Sequence, residues 1–210
     1  MNLIHFFMQN RQQIFELTLE HLWLVGTSTL LAVLIGIPLG IMSAHWPMWN
    51  KPVLGTANII QTIPSLALFG FLLPVPWLGD RADRLAILAL TLYALLPIIR
   101  NTYTGIRGVD PAVIEAGRGM GLTGRQLLFQ VELPLAMSVI LSGVRVAVVV
   151  SVGLATIAAA IGAGGLGEFI FRGLAMVNNQ LILAGAIPAA VLALSADFVL
   201  GWLEKRLRPR

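Results

Sequence analysis

Cysteine is absent from this chain of 210 residues, which rules out disulfides, thiolate metal sites and dithiol redox chemistry. Charge is scarce too: Asp, Glu, Lys and Arg make up 11% of the residues, against about a quarter in soluble domains. The three histidines, His5, His21 and His45, stand far apart, whereas metal ligands normally cluster at short spacings. No nucleophile–base pair occurs at a recognisable spacing, and the GxxxxGK[ST] phosphate loop is missing. Catalytic residues, a bound metal and a nucleotide site are therefore not expected in this chain.

Apolar residues are plentiful. The chain is 57% hydrophobic with a mean hydropathy of +0.85, which belongs to an integral membrane protein. Residues 1–210 suffice for one transmembrane domain. A net charge of +4 and a pI near 10.3 would suggest nucleic acid in a soluble protein. Here they point to Lys and Arg held on one side of a bilayer, in contact with lipid headgroups.

A hydrocarbon core of about 30 Å needs roughly 20 apolar helical residues. Leu22–Ala44 meets that length without a charge, and Val53–Gly79 meets it with prolines inside QTIPS and LLPVPW. Leu85–Ile99 is short but can lengthen through NTYTGI after Arg100; further spans run from Pro134 to Gly162 and from Leu181 to Leu203. The expectation is an all-α, polytopic fold of about five spans. Residues 1–21 lack a basic leader and carry Arg11, Glu16 and Glu20, which suits an interfacial segment better than a cleaved signal.

With the amino terminus outside, the inner segments hold nine basic residues: Lys51, Arg100, Arg107, Arg118, Arg125, Lys205, Arg206, Arg208 and Arg210. The outer segments hold four: Arg11, Arg81, Arg84 and Arg172. The expected orientation is amino terminus out and carboxyl terminus in, with residues 101–134 in the cytoplasm. Arg81 and Arg84 lie beside Asp80 and Asp83 in what reads as a solvated turn. Trp23, Trp46, Trp49, Trp77 and Trp202 fall near predicted span edges, where indole rings prefer to sit.

The segment DPAVIEAGRGMGLTGRQLLFQVELP, residues 110–134, is polar and rich in glycine. Asp110–Pro111 is a helix start and Gly121 a helix stop. Thr123 and Gln126 have the spacing of a capping box and begin a second helix, RQLLFQVEL, before Pro134. Gly117, Gly119 and Gly121 are unfavourable inside a helix, a penalty that makes sense where another protein approaches the backbone. From local chemistry alone, a docking element and an ordinary surface hairpin both fit.

The stretch EAGRGMGLTGRQLLFQVELP resembles the cytoplasmic signature of ATP-binding-cassette importer permeases, which runs Glu-Ala-Ala, three residues, Gly, nine residues, Ile-x-Leu-Pro. Glu115, Ala116, Gly121, Leu133 and Pro134 stand at matching positions, while Gly117 replaces the usual alanine and Val131 the usual isoleucine. HLWLVGTSTLLAVLIGIPLGI, QTIPSLALFGFLLP and IGAGGLGEFIFRGL are similar to permeases that import glycine betaine, choline, carnitine and related osmoprotectants. The methionine-importer or other amino-acid type, with the same MetI-like fold, shares the five-span plan and the coupling loop and is the alternative.

The resemblance implies that the first helix of the hairpin is a coupling helix seated on a cytoplasmic ATPase subunit, anchored by Arg100 and Pro134. Its docking residues would be Glu115, Ala116, Gly117, Gly121, Leu122 and Pro134. It further implies ATP and Mg on that partner and none here. A second permease, identical or homologous, a soluble or lipid-anchored substrate-binding protein, and residence in a bacterial cytoplasmic membrane also follow from it. A self-sufficient channel or secondary transporter is the reading from another class, and it leaves the hairpin without a purpose.

Within the spans, Arg145 and Asp197 are the two charges. A charge at mid-membrane is unfavourable by roughly 2.5–3.5 kcal/mol or more. Either the two pair between neighbouring spans, or Arg145 snorkels to the headgroups. Gln61, Thr62 and Ser65 flank Pro64 in span two and serve either as pathway lining or as helix-to-helix hydrogen bonds. Gly36 and Gly40 have a close-approach spacing around Pro38. IGAGGLGEFIFRG has too many glycines for a span and reads as an outer turn with a short gate helix. Phe69, Phe71 and Tyr93 offer faces to a quaternary ammonium, although packing is the commoner use of aromatics in spans.

Overall fold

The computed structural model describes residues 3–76, 78 and 81–207, with side chains from His5 onward. Trp77, Gly79, Asp80, Arg208 and Arg210 lie outside the described residues. Among those described, regular structure is entirely helical. Four helices are long and apolar enough to cross a bilayer, and a bent pair brings the total to five if it counts as one crossing.

A short α1 (Leu3–Gln9) stops at Asn10, whose side chain turns back to donate to the Phe6 carbonyl. Helix α2 (Arg11–His45) then runs unbroken for 35 residues, about 52 Å, well beyond a hydrocarbon core. The polar lead over residues 11–21 is therefore the first three turns of the spanning helix. Its charges have uses there: Glu20 accepts from the Gly165 N–H at 3.0 Å, a contact with the far end of the chain.

Only Trp46 separates α2 from α3 (Pro47–Thr62), which begins before the expected Val53 with proline at its first position. Pro64 forces the residue before it into extended backbone, and Ile63 adopts φ −70, ψ 126. The result is a bend of 100° into α4 (Ser65–Leu72). Span two is thus two short helices at a sharp angle. The Ile63 carbonyl released by the break is taken by the Tyr93 hydroxyl, so the bend leaves this acceptor satisfied.

Helix α5 (Ala82–Arg107) extends through NTYTGI as expected and is the most buried of the long helices. It lies between α2, α3 and α8 (Leu133–Ala158). The main core joins Leu24 and Val25 of α2, Leu68 and Phe69 of α4, Leu85, Leu90 and Tyr93 of α5, and Val152 and Ala155 of α8. Phe69 and Tyr93 are therefore packing residues, and Phe71 points outward. The polar segment 110–134 begins with α6 (Pro111–Gly119) and α7 (Gly124–Leu127). After α8 come α9 (Gly167–Ala175) and α10 (Asn179–Arg206), which presents much of its length outward through Leu194, Phe198 and Trp202. Trp23, Trp46, Trp49 and Trp202 are all exposed, and the Arg206 guanidinium lies 4.1 Å from the Trp202 ring centroid.

The α2–α5 contact depends on two missing side chains. A Cβ at Gly40 would stand 2.5 Å from Thr102 Cβ and 3.0 Å from the Ile99 carbonyl; one at Gly36 would stand 2.9 Å from Ile98 Cγ2. The GxxxG spacing is thus a close helix approach. Gly40→Val should lower stability by about 1–3 kcal/mol, measured by thermal unfolding in detergent. Gly26→Ala, where an added Cβ meets open space, should leave the transition unmoved.

Candidate functional site

The hairpin is built from its caps inward. Asp110 accepts from the Ala112 N–H at 2.9 Å, and Pro111 opens α6 without losing a needed donor. At the other end, the Gly121 N–H reaches the Arg118 carbonyl and the Leu122 N–H reaches the Gly117 carbonyl, with Gly121 at φ +84. This is a Schellman stop, and it explains the glycine at position 121. Thr123 and Gln126 form the expected capping box.

Gly117 has a different reason from the one the sequence suggested. It is buried, and a Cβ there would stand 2.7 Å from Leu127 Cδ1 and 3.3 Å from Leu122 Cδ1. The two arms of the hairpin close on each other at that point, so the glycine serves internal packing. An added Cβ at Gly119 meets open space. Val113, Glu115, Ala116 and Met120 (77% exposed) are exposed on the first arm and Phe129 on the second. Val113, Met120 and Phe129 were not singled out from sequence; large apolar side chains on a two-turn polar helix were the available signal.

The second arm does not end before Pro134. Residues 124–161 form one continuous rod in which Leu128–Glu132 is a π-turn, with the Leu133 N–H reaching back to the Leu128 carbonyl. A proline inside an α-helix lacks its N–H and crowds the carbonyl four residues earlier. The wider π-turn just before Pro134 lets the helix continue through it. Glu132, the last residue of that turn, is buried, and its Oε2 lies 2.9 Å from Nε2 of His45 at the end of α2. His45 Nδ1 lies 3.1 Å from the Ile41 carbonyl. A cavity of about 440 Å³ opens beside this pair, lined by Arg107, Ile114, Glu115 and Arg118 among others. Arg100, expected as the other anchor, lies about two turns inside α5 and donates to Asn58 of α3 at 3.0 Å.

Arg145 and Asp197 meet. The guanidinium donates from Nε to Oδ1 at 2.6 Å and from Nη2 to Oδ2 at 2.8 Å, a two-bond fork that joins α8 to α10. Its third nitrogen reaches Glu204 Oε2 at 3.4 Å. A Cβ at Gly201 would lie 3.0 Å from the guanidinium carbon, so the missing side chain provides the seat. Glu204 was not anticipated; it follows Asp197 by seven residues, two helical turns, and therefore shares its face.

Gln61 and Thr62 are exposed at the span-two bend and Ser65 is half-buried; the Thr62 hydroxyl donates to the Ile59 carbonyl at 2.7 Å. Among the described residues these three make no hydrogen bond to Arg145 or Asp197. The glycine turn 162–165 holds Gly162, Gly164 and Gly165 at positive φ and leads into α9. The buried His21, with Nε2 3.1 Å from the Val152 carbonyl, packs beside it. Among the described residues no three His, Asp or Glu side chains converge as metal ligands.

Residues 36–209 match the model of the binding-protein-dependent transport system inner membrane component. This chain belongs to that family. Its similarity to individual members extends over nearly the whole length. It is 44% identical over 208 residues to the carnitine transport permease protein OpuCB of Listeria monocytogenes, covering 99% of this chain and 94% of the relative. It is 44% identical to the choline transport system permease protein OpuBD of Bacillus subtilis, covering 99% and 91%. With the osmoprotectant import permease protein OsmW of Salmonella typhimurium the identity is 42%, covering 100% and 99%. Among solved structures, a chain of the MetNI methionine ABC transporter superposes with a TM-score of 0.81 at 23% identity, covering 90% of this chain and 94% of that one. A chain of an amino acid ABC transporter superposes at 0.73 and 20% identity, covering 98% and 99%. The fold of this inner-membrane component is thus the all-α, MetI-like permease fold, in a membrane protein that crosses the bilayer several times.

The fork between α8 and α10 makes a direct prediction. Arg145→Gln and Asp197→Asn should each lower thermal stability and transport. The double variant should do little worse than the poorer single, because the first change already removes the shared interaction. Arg145→Lys should not restore function, since an ammonium lacks the planar fork. Additive losses in the double variant would refute the pairing.

Proposed function

We propose that this permease is the membrane-spanning subunit of an ATP-driven importer for a quaternary-ammonium osmoprotectant of the glycine betaine, choline or carnitine class. The observation that carries the reading is the 44% identity to carnitine and choline permeases over 99% of the chain. The resemblance to methionine and amino acid transporters rests on the shared fold at 20–23% identity, so the osmoprotectant reading is preferred.

In this reading α6 is the coupling helix. Glu115, Ala116, Gly121 and Leu122 form or shape the surface that meets a cytoplasmic ATPase subunit, and that subunit binds ATP and Mg. Gly117 contributes by letting the two arms close, and Pro134 by following the π-turn that leads into α8. Nucleotide-dependent motion of the ATPase then biases the spans between inward- and outward-facing arrangements. A second permease, identical or homologous, completes the pathway, and a soluble or lipid-anchored binding protein delivers the solute. Arg145, Asp197, Gln61, Thr62 and Ser65 are the polar groups in the spans to test for a role in the pathway. The hairpin faces the cytoplasm, with the amino terminus outside and the carboxyl terminus inside.

Reconstituted with its ATPase and binding protein, the permease should accumulate labelled betaine, choline or carnitine in an ATP-dependent manner, and methionine poorly. Preferential methionine uptake would overturn the substrate assignment. Glu115→Arg should weaken co-purification of the ATPase and lower uptake by roughly tenfold or more, as expected for reversing a charge at a protein contact. The absence of native cysteine makes orientation easy to read. A single cysteine at Met120 should react with an impermeant maleimide from the cytoplasmic side, and one at Arg84 from the opposite side. The reverse pattern would invert the topology.

A further inference from the structure

We infer that His45 and Glu132 form the joint that carries displacement of the hairpin into α2, so that both are positioning residues for transport. This rests on the reading of the chain as an ATP-driven permease. The hairpin is joined covalently to two helices only, to α5 through Gly108 and to α8 through the π-turn. Helix α2 has no chain connection to it. The His45–Glu132 contact joins them non-covalently, between the last residue of α2 and the last residue of the π-turn, at 2.9 Å.

Three features argue against an incidental surface pair. The Glu132 side chain is only 7% exposed, and a carboxylate so enclosed is strongly unfavourable without a partner. The imidazole lies between two oxygens, with Nδ1 3.1 Å from the Ile41 carbonyl and Nε2 2.9 Å from Glu132 Oε2. Among the described residues that buried Oε2 makes no hydrogen bond, so the imidazole is its close polar neighbour. The adjoining cavity of about 440 Å³ is bordered by Glu115 and Arg118 of α6 and by Arg107 of α5, so the pair sits where α2, α5, α6 and the π-turn converge. A π-turn is an irregular stretch of helix whose geometry depends on its surroundings, and the contact at its end ties that geometry to α2. Helix α2 in turn grips α5 through Gly36 and Gly40, so a push on the hairpin reaches the first span, the central span and α8 together.

The experiment is a coupling measurement on the assembled complex in vesicles, with solute uptake and ATP hydrolysis read in parallel. His45→Ala should leave ATPase co-purification and basal hydrolysis within about twofold while lowering uptake per ATP by roughly fivefold or more, the size of a typical coupling free energy. Glu132→Gln should do the same, and the double variant no worse than either. His45→Arg, which places a cationic donor beside Glu132, should restore most of the ratio, a rescue that a space-filling role would not give. An unchanged ratio, additive losses, or failure of His45→Arg in a complex that still assembles would overturn the joint alone. No ATP-dependent uptake by the unmodified complex would overturn the proposed function and the joint with it.

Discussion

In hydrocarbon, two helices gain little from hiding apolar side chains against each other, because lipid tails offer the same environment. What holds α2 to α5 is the backbone approach that Gly36 and Gly40 permit, which brings Thr102 and the Ile99 carbonyl into direct contact. The rest of the arrangement depends on that seam. Helix α5 is buried because α2 presses on one side and α8 on another. The bend after Thr62 is stable because α5, once in place, presents Tyr93 to the Ile63 carbonyl. Polar atoms released by broken helix therefore find partners within the protein.

The polar network follows the same economy of contacts. Few charges enter the bundle, and those that do are paired across elements: Arg145 with Asp197 and Glu204 between α8 and α10, Glu132 with His45 between the π-turn and α2, and Glu20 with the Gly165 amide between α2 and the glycine turn. Each joins segments far apart in sequence. Apolar packing is tolerant of sliding, whereas a forked guanidinium–carboxylate contact permits one geometry. These pairs set the relative positions of helices that dispersion forces alone would leave free to shift.

Much of the hairpin was legible in the sequence because its signals are local. Asp110–Pro111, Gly121 and the Thr123–Gln126 spacing act over two to four residues, and all three produced the ends they specify. The Arg145–Asp197 contact was legible for another reason: two opposite charges in long apolar runs have few other places to go. The π-turn was not, because Pro134 signals a helix boundary in isolation, and the wider turn over Leu128–Glu132 that lets the helix continue has no local sequence signal. Pro64 announced a break, but its angle is set by α5. Arg11, Glu16 and Glu20 read as a polar prelude because the partner of Glu20 lies at Gly165, beyond any local pattern. Gly117 looked like an invitation to a neighbour and turned out to accommodate Leu127 and Leu122.

The π-turn also sets an angular phase. Successive residues of a regular helix advance by about 100°, and the extra residue accommodated between Leu128 and Glu132 rotates everything after it by that amount relative to the hairpin. With this offset, Gly143 faces Pro97 and Asn101 of α5, and Arg145 faces α10, while Phe129 stays outward on the hairpin side. A strictly regular helix could not aim both ends correctly at once. Lengthening or shortening the rod by a single residue would thus act like turning a shaft by more than a quarter revolution, leaving its composition almost untouched while misdirecting every contact downstream.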